Sequence, residues 1–147
     1  MSALESKRIV VGVDGSPSSV HALEWAIQQA ERTGDVIDAV HAWHFPADYG
    51  MPVADLPDFA GLAEEVLDKA IAEARNATHL STAVTIRPHV VEGNPAQALL
   101  DLAQGADLLV VGSRGHGGFT GALLGSVSQH VVHHAPCPVM VMRGRTS

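Results

Sequence analysis

The 147 residues carry 16 Asp and Glu against 9 Lys and Arg, a formal charge of −7 with His neutral, and 46% of them are hydrophobic. A chain of this size forms one domain, 1–147, and buries about 70% of its unfolded surface, so it needs neither disulfides nor metal to fold. The acidic balance opposes general nucleic-acid binding, because phosphates repel it, but it leaves room for a local anion site made of backbone N–H groups.

Cys137 is the sole cysteine, so no internal disulfide can form, which fits a reducing compartment. The opening MSALESKRIVVGVDGS has no signal-peptide pattern, and no apolar run approaches the ~18 residues of a membrane span. The expectation is a cytoplasmic protein with neither membrane nor nucleic acid as partner.

Residues 9–13 are a short apolar run rich in valine, suited to a parallel strand covered on both faces. The run gives way to Asp14-Gly15-Ser16-Pro17, with Ser16 as helix N-cap and Pro17 in the first turn. Val20, Leu23, Ile27 and Ala30, widened by Ala22 and Ala26, form the apolar stripe of an amphipathic helix that Gly34 stops. A second strand covers 36–44. Residues 45–58, with three prolines and one glycine, make a loop of unusual length for a compact domain.

A second helix is expected to bury Phe59, Leu62, Val66, Ala70 and Ala74. The third strand spans 83–91. Gly93-Asn94-Pro95 starts a third helix, with Asn94 as N-cap, that turns Ala98, Leu99 and Leu102 inward. A fourth buried strand follows at 107–111, then a glycine-rich segment at 112–125. A fourth helix starts near Ser126 and stops before Pro136, and 139–142 form a last strand. This alternation, without an internal repeat, predicts an α/β domain with a parallel sheet and helices on both faces.

Open α/β sheets bind ligands beyond the carboxyl ends of their strands, and two strand ends are chemically distinctive. One is Gly12-Val13-Asp14-Gly15-Ser16. The other is Gly112-Ser113-Arg114-Gly115, continued by HGGFTGALL and Gly125-Ser126-Val127-Ser128. Dense glycine lets the backbone approach a ligand, successive N–H groups can form an anion nest, and the helix start at Ser126 and Ser128 attracts phosphate. A glycine-rich connection without a ligand gives the same local signal. The segment is not a Walker A loop, which needs Lys then Ser or Thr after its last glycine, nor a Rossmann fingerprint, because Thr120 stands where the third glycine belongs.

The spacing G-x2-G-x9-G-S, at Gly112, Gly115, Gly125 and Ser126, resembles the ATP-binding signature of the universal stress protein family. IVVGVDGS, VEGNPAQALL (with Gly93), ADLLVVGSRGHGG and HHAPCPVMVM are similar to other junctions of that family, so the likeness covers nearly the whole chain. It implies a five-stranded parallel sheet of order 3-2-1-4-5, adenine nucleotide alpha hydrolase-like, and an ATP-binding regulator of stress responses, with or without Mg2+. Asp14 would then hold the ribose. Val13 and the backbone at Val40 and His41 would flank the adenine. Gly112, Arg114, Gly115, Gly125, Ser126 and Val127 would line the phosphates. A homodimer through the last strand is also implied.

Other constellations carry less. His130, His133 and His134 share a helix but lack an acid or cysteine at zinc-site spacing. No G-x-S-x-G elbow is present. Between Gly112 and Ser128 there is no Asp or Glu to hold the metal of fast phosphoryl transfer, so turnover is expected to be slow or absent. An autophosphorylating enzyme and a nucleotide-free interaction protein are the alternatives.

Overall fold

The computed structural model describes residues 7–44, 57–78, 84–113 and 125–143. In chain order the elements are β1 (Arg8–Gly12), α1 (Pro17–Thr33), β2 (Val36–Trp43), α2 (Phe59–Thr78), β3 (Ile86–Glu92), α3 (Pro95–Leu102), β4 (Leu108–Gly112), α4 (Ser126–His134) and β5 (Val139–Met142). The strands form one sheet of order β3-β2-β1-β4-β5, parallel at every pairing. The order and the alternation are those expected from the sequence, with strand ends that coincide or shift by up to three residues.

Local chemistry accounts for the helix ends. The Ser16 hydroxyl accepts from the Ser19 amide, Pro17 occupies the first turn, and Gly34, at φ 80°, closes α1 by donating to the Ala30 carbonyl. Asn94 caps α3 in the same way, accepting from the Gln97 amide.

Side-chain alternation along the strands splits the core in two. Ile9, Val11, Ile37, Ala39 and Val110 meet α1 and α2 through Leu23, Ala26, Ile27, Leu67 and Ala70. Val10, Val40, Leu109 and Val111 meet α3 and α4 through Leu99 and Val131. Trp25 packs at the margin of the first cluster and Cys137 at the margin of the second.

One expectation fails. The buried stripe of α2 is Ala63, Leu67, Ala70 and Ala74, whereas Leu62 and Val66 are exposed. Both stripes share Ala70 and Ala74 and differ in the first half of the helix. Alanines on the inward face bring α2 close to α1 and the sheet, and Leu67 supplies the bulk, so reading the larger side chains as the core misplaces the face.

A second feature was not expected. Asp38, in the middle of β2, is 1% exposed and accepts from Arg87 (Nε 2.7 Å, Nη2 3.0 Å), His89 (Nε2 2.9 Å) and Arg8 (Nη1 2.9 Å). Arg8 also donates to the carbonyls of Leu102, the last residue of α3, and of Gln104 just after it. The first three strands therefore share one carboxylate, and Arg8 links it to the end of α3. Burial alone would raise the Asp38 pKa, but the hydrogen bonds from Arg87, His89 and Arg8 outweigh it and hold the carboxyl well below the usual carboxylate range.

Two outcomes follow for stability. Asp38→Ala leaves the cations without their acceptor and is expected to cost on the order of 2 kcal/mol in urea unfolding at neutral pH, less than for a fully buried pair because the arginines are partly solvated. Since the folded-state pKa is depressed, the stabilisation is complete above the unfolded carboxylate pKa of about 4 and declines as pH falls below it. Acid titration of the variant should show a shallower loss of stability than wild type over that range.

Candidate functional site

The sheet order places β1 between β2 on one side and β4 on the other, so the chain reverses direction of winding at the β1–β4 boundary. The carboxyl ends of those two strands open a crevice of the kind that holds ligands in this class of sheet.

Gly12 ends β1. A Cβ there would lie 3.0 Å from a Leu99 methyl of α3. Val13 continues the ladder, its amide donating to the Val40 carbonyl at 2.8 Å, and its carbonyl accepts from His41 Nδ1 at 2.8 Å. That bond places the His41 proton on Nδ1 and fixes the ring against the end of β1. Val40 is buried behind it. Gly93, at φ 143°, donates to the Trp43 carbonyl and so marks the corresponding end of β2 and β3.

Asp14 is half-buried. Its Oδ1 accepts from the Ser16 amide at 2.9 Å, and its own amide donates to the Ser19 hydroxyl. One oxygen of the carboxylate is thus engaged in holding the turn into α1. Ser16, itself buried, caps that helix. At the α1 N-terminus the Ser16 hydroxyl takes the Ser19 amide.

The other side of the crevice is different. Gly112 ends β4 against the first turn of α1: a Cβ on it would stand 2.3 Å from Ser18 Oγ and 2.9 Å from the Ser18 backbone carbon. This glycine is required by close approach. Ser113 donates its amide to the Met142 carbonyl and accepts from the Gly125 amide, both at 2.7 Å. The buried Ser128 hydroxyl donates to the Gly112 carbonyl. Ser113 and Gly125, twelve positions apart, are therefore clasped at the base of the glycine-rich segment. Arg114 and Gly115 lie outside the described residues.

Gly125 is the N-cap of α4, with no side-chain hydrogen bond to it, in contrast to Ser16 and Asn94 at α1 and α3. The first main-chain bond of α4 is from Gln129 to Gly125. The amides of Ser126, Val127 and Ser128 precede it, at the positive end of the helix dipole. Ser126 is exposed, and Val127 packs against the second core cluster.

A family model described as universal stress protein family matches residues 5–143. The chain belongs to the universal stress protein family. It is 39% identical over 141 residues to a universal stress protein of Mycolicibacterium smegmatis, covering 93% of this chain and 46% of that protein. The chain spans about half the length of the curated relatives it matches. A universal stress protein from Lactobacillus plantarum superposes with a TM-score of 0.68 at 28% identity, covering 93% of this chain and 97% of the other. A universal stress protein in complex with cAMP superposes with a TM-score of 0.69 at 31% identity, covering 94% and 97%. These neighbours share the adenine nucleotide alpha hydrolase-like fold.

The other groups singled out in the sequence do not join this site. Burial, and then the negative charge of Asp107, push the Cys137 thiol up from its ordinary pKa, which disfavours a reactive thiolate. Among the described residues no group of three or more His, Cys, Asp or Glu is placed to hold a metal ion, and no helix is long and apolar enough to cross a membrane.

Gly112→Ala is expected to lower stability by about 1–3 kcal/mol, the usual cost of forcing a methyl into a packed site. Combining it with Ser18→Gly should restore part of the loss, because the Ser18 backbone carbon still crowds the new Cβ. Thermal unfolding of the three variants measures this, and full recovery in the double variant would mean that the hydroxyl alone sets the limit.

Proposed function

We propose that this universal stress protein binds an adenine nucleotide, ATP first among them, and acts as a nucleotide-dependent regulator with at most slow turnover. The observation that carries the reading is the uncapped N-terminus of α4 beside the clasp of Ser113 and Gly125. Free amides and a helix dipole at a glycine-rich strand end suit a phosphate chain without any lysine. The residues present fit the group: Gly112, Ser113, Gly125, Ser126, Val127 and Ser128, with Arg114 and Gly115 of the intervening segment, would hold the phosphates. Gly12, Val13, Val40, His41 and Gly93 border the space for the base. Asp14, with Ser16 fixing its turn, has one carboxylate oxygen left over from that turn for a ribose hydroxyl. The complex of a 31%-identical relative with cAMP supports an adenine nucleotide as the ligand class, and the complete G-x2-G-x9-G-S spacing supports ATP within it.

Efficient phosphoryl transfer needs carboxylates to hold Mg2+ and a positioned nucleophile. Residues 112–128 contain no Asp or Glu, and Asp14 has one oxygen committed to its own turn. Binding without rapid chemistry is the consequence.

The β5 strand is hydrogen-bonded on one side to β4 and ends the sheet. Its far edge is suited to pairing with the same strand of a second copy, and a homodimer is part of this reading.

Calorimetric titration with ATP, ADP, AMP, cAMP and GTP is expected to give binding of adenine nucleotides. The Gly115→Glu variant should bind ATP at least about a hundredfold more weakly, as an anionic side chain enters the phosphate path, with an unchanged circular-dichroism spectrum. Equal affinity in both proteins would remove the phosphate loop from the reading. In a single-turnover assay with Mg2+ and ATP, the rate should fall far below the roughly 10 s⁻¹ of ordinary enzymes. Sedimentation at twice the chain mass would match the dimer, and a monomer at micromolar concentration would discard it.

A further inference from the structure

The outer side of α4 carries a feature that neither the core nor the nucleotide reading uses. His130 and His134 are four residues apart and both exposed, so they stand one above the other on one side of the helix. Their ring centroids are 4.5 Å apart with the planes inclined at 38°. Solvated imidazoles gain little from such proximity, and two protonated ones repel. A metal ion changes the balance: two bonds of about 2.0–2.1 Å from imidazole nitrogens require those nitrogens to approach to roughly 3 Å, which rings at this spacing can satisfy by small rotations. His133 provides an internal contrast. It adjoins His134 in sequence, but its ring centre is 6.5 Å away and edge-on, since successive residues diverge around the helix.

We propose that His130 and His134 form a two-imidazole site for a borderline divalent cation, Zn2+, Ni2+ or Cu2+. Imidazole suits these ions, whereas Mg2+ and Ca2+ prefer oxygen donors. Histidines four apart on a helix are a known way of presenting two nitrogens to one zinc ion. The pair also lies in the last two turns of α4, where the negative end of the helix dipole favours a cation. With two protein ligands the remaining positions are taken by water, so the ion exchanges readily and is not needed for folding.

The site is independent of the nucleotide reading, and its test needs no nucleotide. Ni2+ alone is titrated calorimetrically into the tag-free full chain and into His130→Ala, His134→Ala and His133→Ala. All three side chains are exposed, and far-ultraviolet circular dichroism confirms that each variant is folded. The first two variants are expected to lose about tenfold or more in Ni2+ affinity, as one of two imidazoles is gone, while His133→Ala stays within about twofold of wild type. The metal-induced rise in melting temperature should vanish in the same two variants. Unchanged affinity in His130→Ala or His134→Ala, or an equal loss in His133→Ala, would overturn the proposal.

Discussion

The approach of β4 to the first turn of α1 governs the geometry around it. Gly112 has no side chain because Ser18 occupies the space where one would be. That contact seats the end of β4 against the start of α1, next to the turn in which Asp14 and Ser16 hold each other. It also fixes the Gly112 carbonyl, which receives the Ser128 hydroxyl and so sets the start of α4. Two helix N-termini thus lie near the same strand ends, one capped by the Ser16 hydroxyl and the other begun by Gly125 without a side-chain cap. A methyl at Gly112 would press on the first turn of α1 at Ser18.

Much of the architecture was legible because local signals and global pattern agree. Valine-rich runs mark the buried strands, Ser16-Pro17 and Asn94-Pro95 mark helix starts, and Gly34 marks a stop. The strand order came from likeness to a family, since alternation predicts a parallel sheet but not its sequence of neighbours. The face of α2 was misplaced because bulk was taken as the sign of burial, while the inward side is lined by alanine around Leu67.

The site was legible in a different way. Glycine density at 112–125 singled out the end of β4, but it could not say what each glycine is for. Gly112 answers to packing, and Gly125 answers to the start of α4. Likewise His41 was expected near the base, and the task the structure gives it is a bond to the Val13 carbonyl that ties β2 to the end of β1. The Asp38 cluster left no motif at all. Its partners lie 30 to 51 positions away along the chain, and the sign available was one acid inside an apolar strand, VIDAV, which needs the sheet register to become meaningful.

The clasp between Ser113 and Gly125 has an evolutionary corollary. The two ends of the intervening stretch are tied by main-chain bonds that no side chain supplies, so a change in its length or composition leaves that tie in place. Lengthening such a stretch twofold costs only about 0.6 kcal/mol in closure entropy. Descendants could therefore insert, delete or rewrite residues there and acquire new ligand preferences without renegotiating the core, which makes this position a natural place for paralogues to diverge.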